Sequence, residues 1–68
     1  MNDYFSVRRF IFDTNILDVM DCLYLNGLTN EQTAERLNIS VQTVYNRHLR
    51  GLDMINEIFN SERSNLNA

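Results

Sequence analysis

The chain contains no proline, no lysine and no tryptophan, and its 68 residues include one cysteine, one histidine and two glycines. A single Cys22 excludes an internal disulfide and a zinc site built on cysteines. With one histidine and too short a chain to enclose a substrate, we expect neither an enzyme nor a bound metal or cofactor. The absence of proline, with glycine only at positions 27 and 51, is typical of an all-helical domain.

Long apolar runs are also missing from the sequence. No stretch reaches the roughly 18 apolar residues that a membrane-spanning helix needs. The N-terminus does not resemble a signal peptide, because Asp3 stands where such peptides carry positive charge. A single cysteine agrees with a reducing compartment. We therefore expect a cytoplasmic protein that does not bind membranes.

Positive charge is scarce but concentrated in one part of the chain. Nine acidic and six basic residues give a net charge of −3, which on average disfavours binding to nucleic acid. Between Arg36 and Leu52, however, the sequence has no acidic residue, and it carries Arg47, His48 and Arg50. This basic segment is the part of the chain suited to a nucleic-acid partner.

The spacing of apolar residues predicts a small bundle of three to four helices, with the main domain in residues 14–60. Apolar side chains between Ile16 and Asn26 recur at helical spacing. Either Asp13 or Thr14 can cap the start of this first helix. Gly27 can end it, because glycine readily adopts the left-handed conformation found after helices.

Two further helices follow. Thr29 and Gln32 have the spacing of a capping box, which predicts a short second helix with Ala34 facing inward. Ser40 can cap a third helix. Gly51 either lies in a continuous helix and lets another helix approach, which we favour, or breaks it so that Asp53 caps a new one. The predicted inward face of the third helix, with Leu49 and Ile58 at its borders, is Val41, Val44, Tyr45, His48, Leu52, Ile55 and Phe59.

The two ends of the chain are less regular. Residues 1–13 are too apolar for a free tail and predict an N-terminal arm or a short extra helix, which is a possible dimer contact. The apolar residues near the end of the third helix are a second possible contact. The apolar residues of the N-terminal segment and those near the end of the third helix can instead complete a small core. Residues 61–68 have the composition of a frayed C-terminal tail.

Two capped helices joined by about three residues describe a helix-turn-helix. Small Ala34 fits the point where the two helices cross, Ile39 fits the turn, and Val44 can pack against Leu37. Over roughly residues 16–59 the chain resembles the helix-turn-helix of sigma factor region four and the related LuxR/GerE-type domain. The resemblance is carried by Gly27, Leu28, Thr29, Gln32, Ala34, Glu35, Leu37, Ile39, Ser40, Val41, Thr43, Val44, Arg47 and Arg50.

This sequence departs from the family pattern at three places. Thr33 stands where the family has an apolar residue, and the pair His48-Leu49 reverses the usual apolar-then-polar order. Acidic residues after Leu52 replace a basic tail. No segment of these 68 residues corresponds to a promoter-melting region, so we do not expect a complete sigma factor.

A polar stripe on the third helix is the candidate DNA contact. Arginine can pair with guanine, and asparagine or glutamine with adenine, in the major groove. Backbone amides at the two helix starts can meet phosphates, and Tyr45 either joins the core or places its hydroxyl on a phosphate. The resemblance implies the same stripe, although a solvated helix face has a similar composition. The candidate residues are Thr29, Ser40, Gln42, Thr43, Tyr45, Asn46, Arg47 and Arg50.

The remaining polar residues have structural interpretations. We expect His48 to be partly buried and hydrogen-bonded, and Cys22 to be a small core residue. The acids Asp13, Asp18 and Asp21 fit a helix start and a solvated face.

The function indicated by the sequence is a sequence-specific transcriptional regulator that binds double-stranded DNA. The helix that begins at Val41 would lie in the major groove, and the protein would act as a homodimer on paired half-sites. The alternative is a protein-binding helix-turn-helix module that docks on RNA polymerase or on another regulator.

Overall fold

The computed structural model describes residues 4–67 of the chain, with side chains as far as residue 60. The described residues form helices and connecting turns without a β-strand, which confirms the expected all-α class. In chain order the elements are α1 (Tyr4–Val7), a 3-10 turn (Arg8–Phe10), α2 (Thr14–Tyr24), α3 (Asn30–Leu37) and α4 (Val41–Asn67). None of the described helices is long and apolar enough to cross a membrane.

The ends of α2 follow the capping residues in the sequence. The Asp13 carboxylate accepts hydrogen bonds from the backbone N–H groups of Asn15 (3.0 Å) and Ile16 (3.3 Å), so Asp13 is the cap of this helix. Gly27 follows the helix with a φ of +67°, the left-handed conformation expected for it. Local hydrogen bonds therefore determine where α2 begins and where the chain turns toward α3.

The predicted helix-turn-helix is present with both of its caps. Thr29 and Gln32 form the complete capping box, in which each side chain accepts the backbone N–H of the other residue. Asn38 ends α3 in the left-handed conformation, with a φ of 57°. Ser40 Oγ then accepts the N–H of Thr43 at 3.1 Å and caps α4. These contacts fix the path of the chain between the two helices.

Buried apolar side chains form two clusters. The motif cluster joins α2, α3 and α4 through Val19, Ala34 and Val44, with Leu23, Leu37 and Ile39 packed against it. The N-terminal cluster consists of Tyr4, Val7, Ile11, Ile16 and Met20, with Leu17, Met54 and Ile55 packed against it. The first part of α4 thus packs in the motif cluster, and its later part packs in the N-terminal cluster.

Two neighbouring residues of α3 face the core. Ala34 is 6% exposed and lies in the same cluster as Val19 and Val44, which confirms its expected position between the helices. Thr33 is fully buried, and its hydroxyl has no hydrogen-bond partner among the described residues. The position at which the family pattern has an apolar residue is therefore buried in this protein.

Gly51 lies inside a continuous α4, as we favoured. A Cβ atom at this position would stand 2.5 Å from Sδ and 2.8 Å from Cγ of Met20, which is itself fully buried. Any larger residue here would force the Met20 side chain to move, so glycine lets Met20 of α2 pack directly against α4.

The inward face predicted for α4 is partly wrong. Val44 is buried and His48 and Ile55 are partly buried, but four of the seven residues are 40–50% exposed: Val41, Tyr45, Leu52 and Phe59. Apolar residues cover about half of the circumference of this helix at roughly 100° per residue. The other helices cover only the side centred on Val44 and Gly51, so the remaining apolar residues face outward.

The two ends of the chain differ in what they contribute. The N-terminal segment is a short helix followed by a 3-10 turn, and Tyr4, Val7 and Ile11 complete the core. Residues 1–3 of this segment lie outside the described residues. At the other end α4 extends to Asn67, through most of the segment predicted to fray. The fraying and the dimer contacts stay predictions.

Candidate nucleic-acid interface

The first half of α4 presents three of the candidate residues on one exposed face. Gln42, Asn46 and Arg50 follow each other at intervals of four residues, so they line up along the helix at steps of roughly 6 Å. Gln42 Nε2 donates a hydrogen bond to Asn46 Oδ1 at 3.2 Å. The row offers amide donors and acceptors followed by a guanidinium, all open to solvent.

Other candidate residues border this row. Thr43 and Arg47 are half-buried at its edge, and the Thr43 hydroxyl lies 2.8 Å from that of Ser40 within the helix cap. Tyr45 is 50% exposed on the opposite border, which excludes the core position that we considered for it. Arg47 therefore projects from the edge of the face, whereas Arg50 projects from its exposed part.

The start of α3 offers fewer free amides than the sequence suggested. The Thr29 N–H is already occupied, because it donates to Gln32 Oε1 at 2.9 Å. The amides left without an intrahelical partner by helix geometry are those of Asn30 and Glu31. The Glu31 carboxylate lies in this first turn and opposes the approach of an anion. The expectation of a free Thr29 amide was wrong, and the exposed Thr29 hydroxyl borders this end of the motif beside the amides of Asn30 and Glu31.

The charge on α4 changes sign within its exposed side. Arg50 shares an open groove with Asp53, Met54 and Glu57. Asp53 follows Arg50 by three residues and Glu57 by seven, so both carboxylates stand near the same side of the helix. The face that can attract phosphate therefore ends at Arg50.

His48 connects the same half of α4 to α2, on the side away from the exposed row. Its Nε2 lies 2.7 Å from the Tyr24 hydroxyl, and the two rings meet edge to face with centroids 5.5 Å apart. Partial burial lowers the pKa of His48. The histidine therefore has the hydrogen-bonded, partly buried position expected of it.

Sequence reasoning missed a polar cluster that attaches the N-terminal segment to α2. Arg8 Nε and Nη2 donate to the two carboxylate oxygens of Asp21 at 2.9 and 2.6 Å, and the Tyr4 hydroxyl donates to Asp21 Oδ1 at 2.5 Å. The hydrogen bond from Arg8 holds the pKa of Asp21 below its ordinary value, and burial raises that of Tyr4. The assignment of Asp21 to a solvated face was therefore wrong.

Cys22 is 4% exposed, and burial raises the pKa of its thiol. This agrees with the expected role as a small core residue. No group of His, Cys, Asp and Glu in the described part of the chain could hold a metal ion.

The family model for Sigma-70, region 4 matches residues 22–55. The chain belongs to this family. The match covers the end of α2, all of α3 and the first part of α4, so the Sigma-70 region 4 segment contains the whole helix-turn-helix and every candidate residue. It supports a helix-turn-helix DNA-binding domain in this protein, and the resemblance to the LuxR/GerE type stays a prediction. Neither a curated protein nor a solved structure matches the chain.

Proposed function

We propose that this protein is a cytoplasmic transcriptional regulator that binds specific sequences of double-stranded DNA. The observation that carries the proposal is the exposed row of Gln42, Asn46 and Arg50 on a capped helix of a Sigma-70 region 4 domain. The first half of α4 would lie in the major groove, which is wide enough for a helix. The protein would bind DNA rather than catalyse a reaction.

The candidate residues divide into base and phosphate contacts. Gln42 and Asn46 suit adenine, and Arg47 suits guanine, because each can make two hydrogen bonds to these bases. Arg50 stands further along the helix, where α4 leaves the groove and passes the phosphates. The phosphate contacts would be completed by hydroxyl groups at the border of the face, namely those of Thr29, Ser40, Thr43 and Tyr45.

A homodimer would make this binding strong enough to be specific. A single helix-turn-helix buries a small area on DNA, and a chain with a net charge of −3 is repelled at a distance. Two copies on paired half-sites add their contacts. We therefore propose that the protein acts as a homodimer.

The proposal is tested by selecting bound sequences from a random duplex library and titrating the enriched duplex. Arg47→Ala should remove about 1–3 kcal/mol of discrimination between the enriched and a scrambled duplex. Arg50→Ala should weaken binding to both duplexes and lower the slope of affinity against salt by about one. Arg9→Ala is the matched control, because this exposed arginine lies in the N-terminal segment. No enrichment at low salt, or equal effects of all three variants, would contradict the proposal.

A second candidate function is protein docking on RNA polymerase or another regulator. The observation that favours it is a group of exposed aromatic side chains in the N-terminal segment: Phe5 (70% exposed), Phe10 (46%) and Phe12 (87%). Exposed aromatic residues are enriched in protein interfaces. Phe12→Ser should weaken such docking and leave DNA affinity unchanged, whereas Arg47→Ala should do the reverse.

A further inference from the structure

The helix α4 begins with an exposed apolar residue that the core does not use. Val41 is 43% exposed and belongs to neither of the two apolar clusters of the described residues. Ile39 and Val44, on either side of it in the sequence, supply the contacts that pack this end of the helix in the motif cluster. The packing of the domain therefore gives no reason for an apolar side chain at position 41.

The position of Val41 is fixed by the cap of α4. Ser40 Oγ accepts the N–H of Thr43 at 3.1 Å, so the helix begins at Val41 in a defined direction. In helix-turn-helix complexes the first residues of the recognition helix are those that contact base edges. Val41 and Gln42 are the first two residues of α4, and both are exposed. Val41 therefore lies in the part of the helix that would reach the bases.

An apolar patch adjoins the row of amides on α4. Tyr45 is 50% exposed and follows Val41 by four residues and Gln42 by three, so it neighbours both side chains on the helix surface. The sequence has no acidic residue between positions 36 and 52, so nothing in this patch carries the negative charge that would repel DNA. The apolar patch and the amide row therefore form one continuous surface.

Thymine is the base that presents an apolar group in the major groove. Its C5-methyl stands beside the O4 acceptor, whereas the other bases are distinguished there by hydrogen-bond donors and acceptors. A valine side chain can neither donate nor accept a hydrogen bond. Opposite a polar base edge it would displace water and leave that edge unsatisfied, but against a methyl group it buries apolar surface on both molecules. Of the four bases, thymine is the one that Val41 suits.

We propose that Val41 recognises a thymine through its C5-methyl group, in the base pair next to the one that Gln42 contacts. This inference rests on the proposed function and adds a specificity-determining residue to its major-groove contact. Val41 and Gln42 are consecutive residues at the start of α4, so their side chains reach neighbouring positions of the duplex. Because Gln42 suits adenine, the selected sequence should contain two neighbouring A·T pairs.

Deoxyuridine tests the contact, because it differs from thymidine only in lacking the C5-methyl group and keeps the same base pairing. Each thymine of the enriched duplex is replaced in turn, and binding of the full chain is titrated. Replacement of one thymine should weaken wild-type binding about threefold to fivefold, as expected for one buried methyl group. That thymine should lie in the pair next to the adenine at which Gln42→Ala loses its preference.

Variants at position 41 show whether valine makes this contact. Val41→Ala should bind the thymine and deoxyuridine duplexes nearly equally, whereas Val41→Ile, which keeps the apolar contact, should still distinguish them. Leu49→Ala is the matched control, since Leu49 is also apolar and 45% exposed but lies roughly 12 Å further along α4. It should retain the full effect of the methyl group. Circular dichroism and thermal melting check that the three variants keep the wild-type fold.

A wild-type protein whose binding is weakened by no deoxyuridine replacement would overturn the proposed contact, and so would an enriched sequence without neighbouring A·T pairs. A methyl effect that Val41→Ala retains, or that Leu49→Ala loses to the same extent, would also overturn it. Each of these outcomes leaves sequence-specific DNA binding intact. Failure to enrich any sequence would instead contradict the proposed function, and this inference with it.

Discussion

The two halves of α4 belong to one continuous helix but differ in their surroundings and charge. The first half packs in the motif cluster through Val44 and presents amides and arginines to solvent. The second half packs against the N-terminal cluster through Met54 and Ile55, and it carries Asp53 and Glu57. The comparison shows that the candidate DNA face lies over the motif cluster, while the N-terminal cluster packs against the part of the helix beyond it.

The junction between the halves explains how one helix serves both clusters. Met20 of the N-terminal cluster lies against Gly51, and Val19 beside it lies in the motif cluster. Successive residues of α2 therefore contact successive parts of α4. The helix α4 is therefore held by apolar contacts on both sides of Gly51.

The largest effect is expected from overfilling the motif cluster. Ala34→Leu should lower the free energy of unfolding by roughly 1–3 kcal/mol, because a larger side chain cannot fit beside Val19 and Val44. Thermal melting measures the change. Glu35→Leu is the control, since residue 35 is exposed on the same helix. An unchanged melting temperature for Ala34→Leu would show that the motif cluster does not hold the two helices together.

A smaller effect of opposite sign is expected at the neighbouring position. Thr33→Val should raise the free energy of unfolding by about 1 kcal/mol, because it removes a buried hydroxyl without a hydrogen-bond partner. Thr43→Val, at the start of α4, provides the contrast, since the Thr43 hydroxyl has a partner in Ser40. Denaturant unfolding compares the two. Destabilisation by Thr33→Val would mean that the Thr33 hydroxyl stabilises the folded state.

The comparison of the halves also shows what could be predicted from the sequence. The motif could be predicted because caps such as Asp13, Thr29 and Ser40 form hydrogen bonds to residues only two or three positions away. The ion pair between Arg8 and Asp21 could not, since these residues are 13 positions apart and no local pattern connects them. For the same reason the buried side of α4 was partly misassigned: apolar residues cover half of the helix, and the packing of α2 and α3 selects the side that carries Val44 and Gly51.

The contacts of His48 and of Asp21 should respond to acid at different pH. Burial lowers the pKa of His48 from 6.5, so the folded state resists protonation and stability falls as the pH drops below about 6.5. The pKa of Asp21 is lowered from 3.8, so its stabilisation is present above that pH and is lost as the pH falls through the lowered value. Both effects are small, because the groups are partly exposed.

Melting temperatures between pH 8 and pH 2 separate these contributions. His48→Gln should flatten the upper part of the profile, which reports on the motif half. Asp21→Asn should flatten the lower part of the profile, which reports on the attachment of the N-terminal segment to α2. A profile that neither substitution alters would contradict the assigned hydrogen bonds.

The smallest effect concerns the acidic residues that follow Arg50 along α4. Asp53→Asn should strengthen binding to any duplex about twofold to threefold at low salt, because a carboxylate near the phosphate contact is removed. Asp18→Asn is the control, since Asp18 is exposed on α2. Equal gains from both variants in a salt titration would show that only net charge matters.

The most direct test of the account is to titrate the labelled protein with its selected duplex and to follow backbone amide and side-chain NMR signals. Shifts should be confined to the start of α3 and to residues 40–50, with the largest changes at the side-chain amides of Gln42 and Asn46. Signals of residues 4–12 and of the face that carries Asp53 and Glu57 should not move. Changes centred on the N-terminal segment or on the acidic face, with residues 42–50 unaffected, would contradict it.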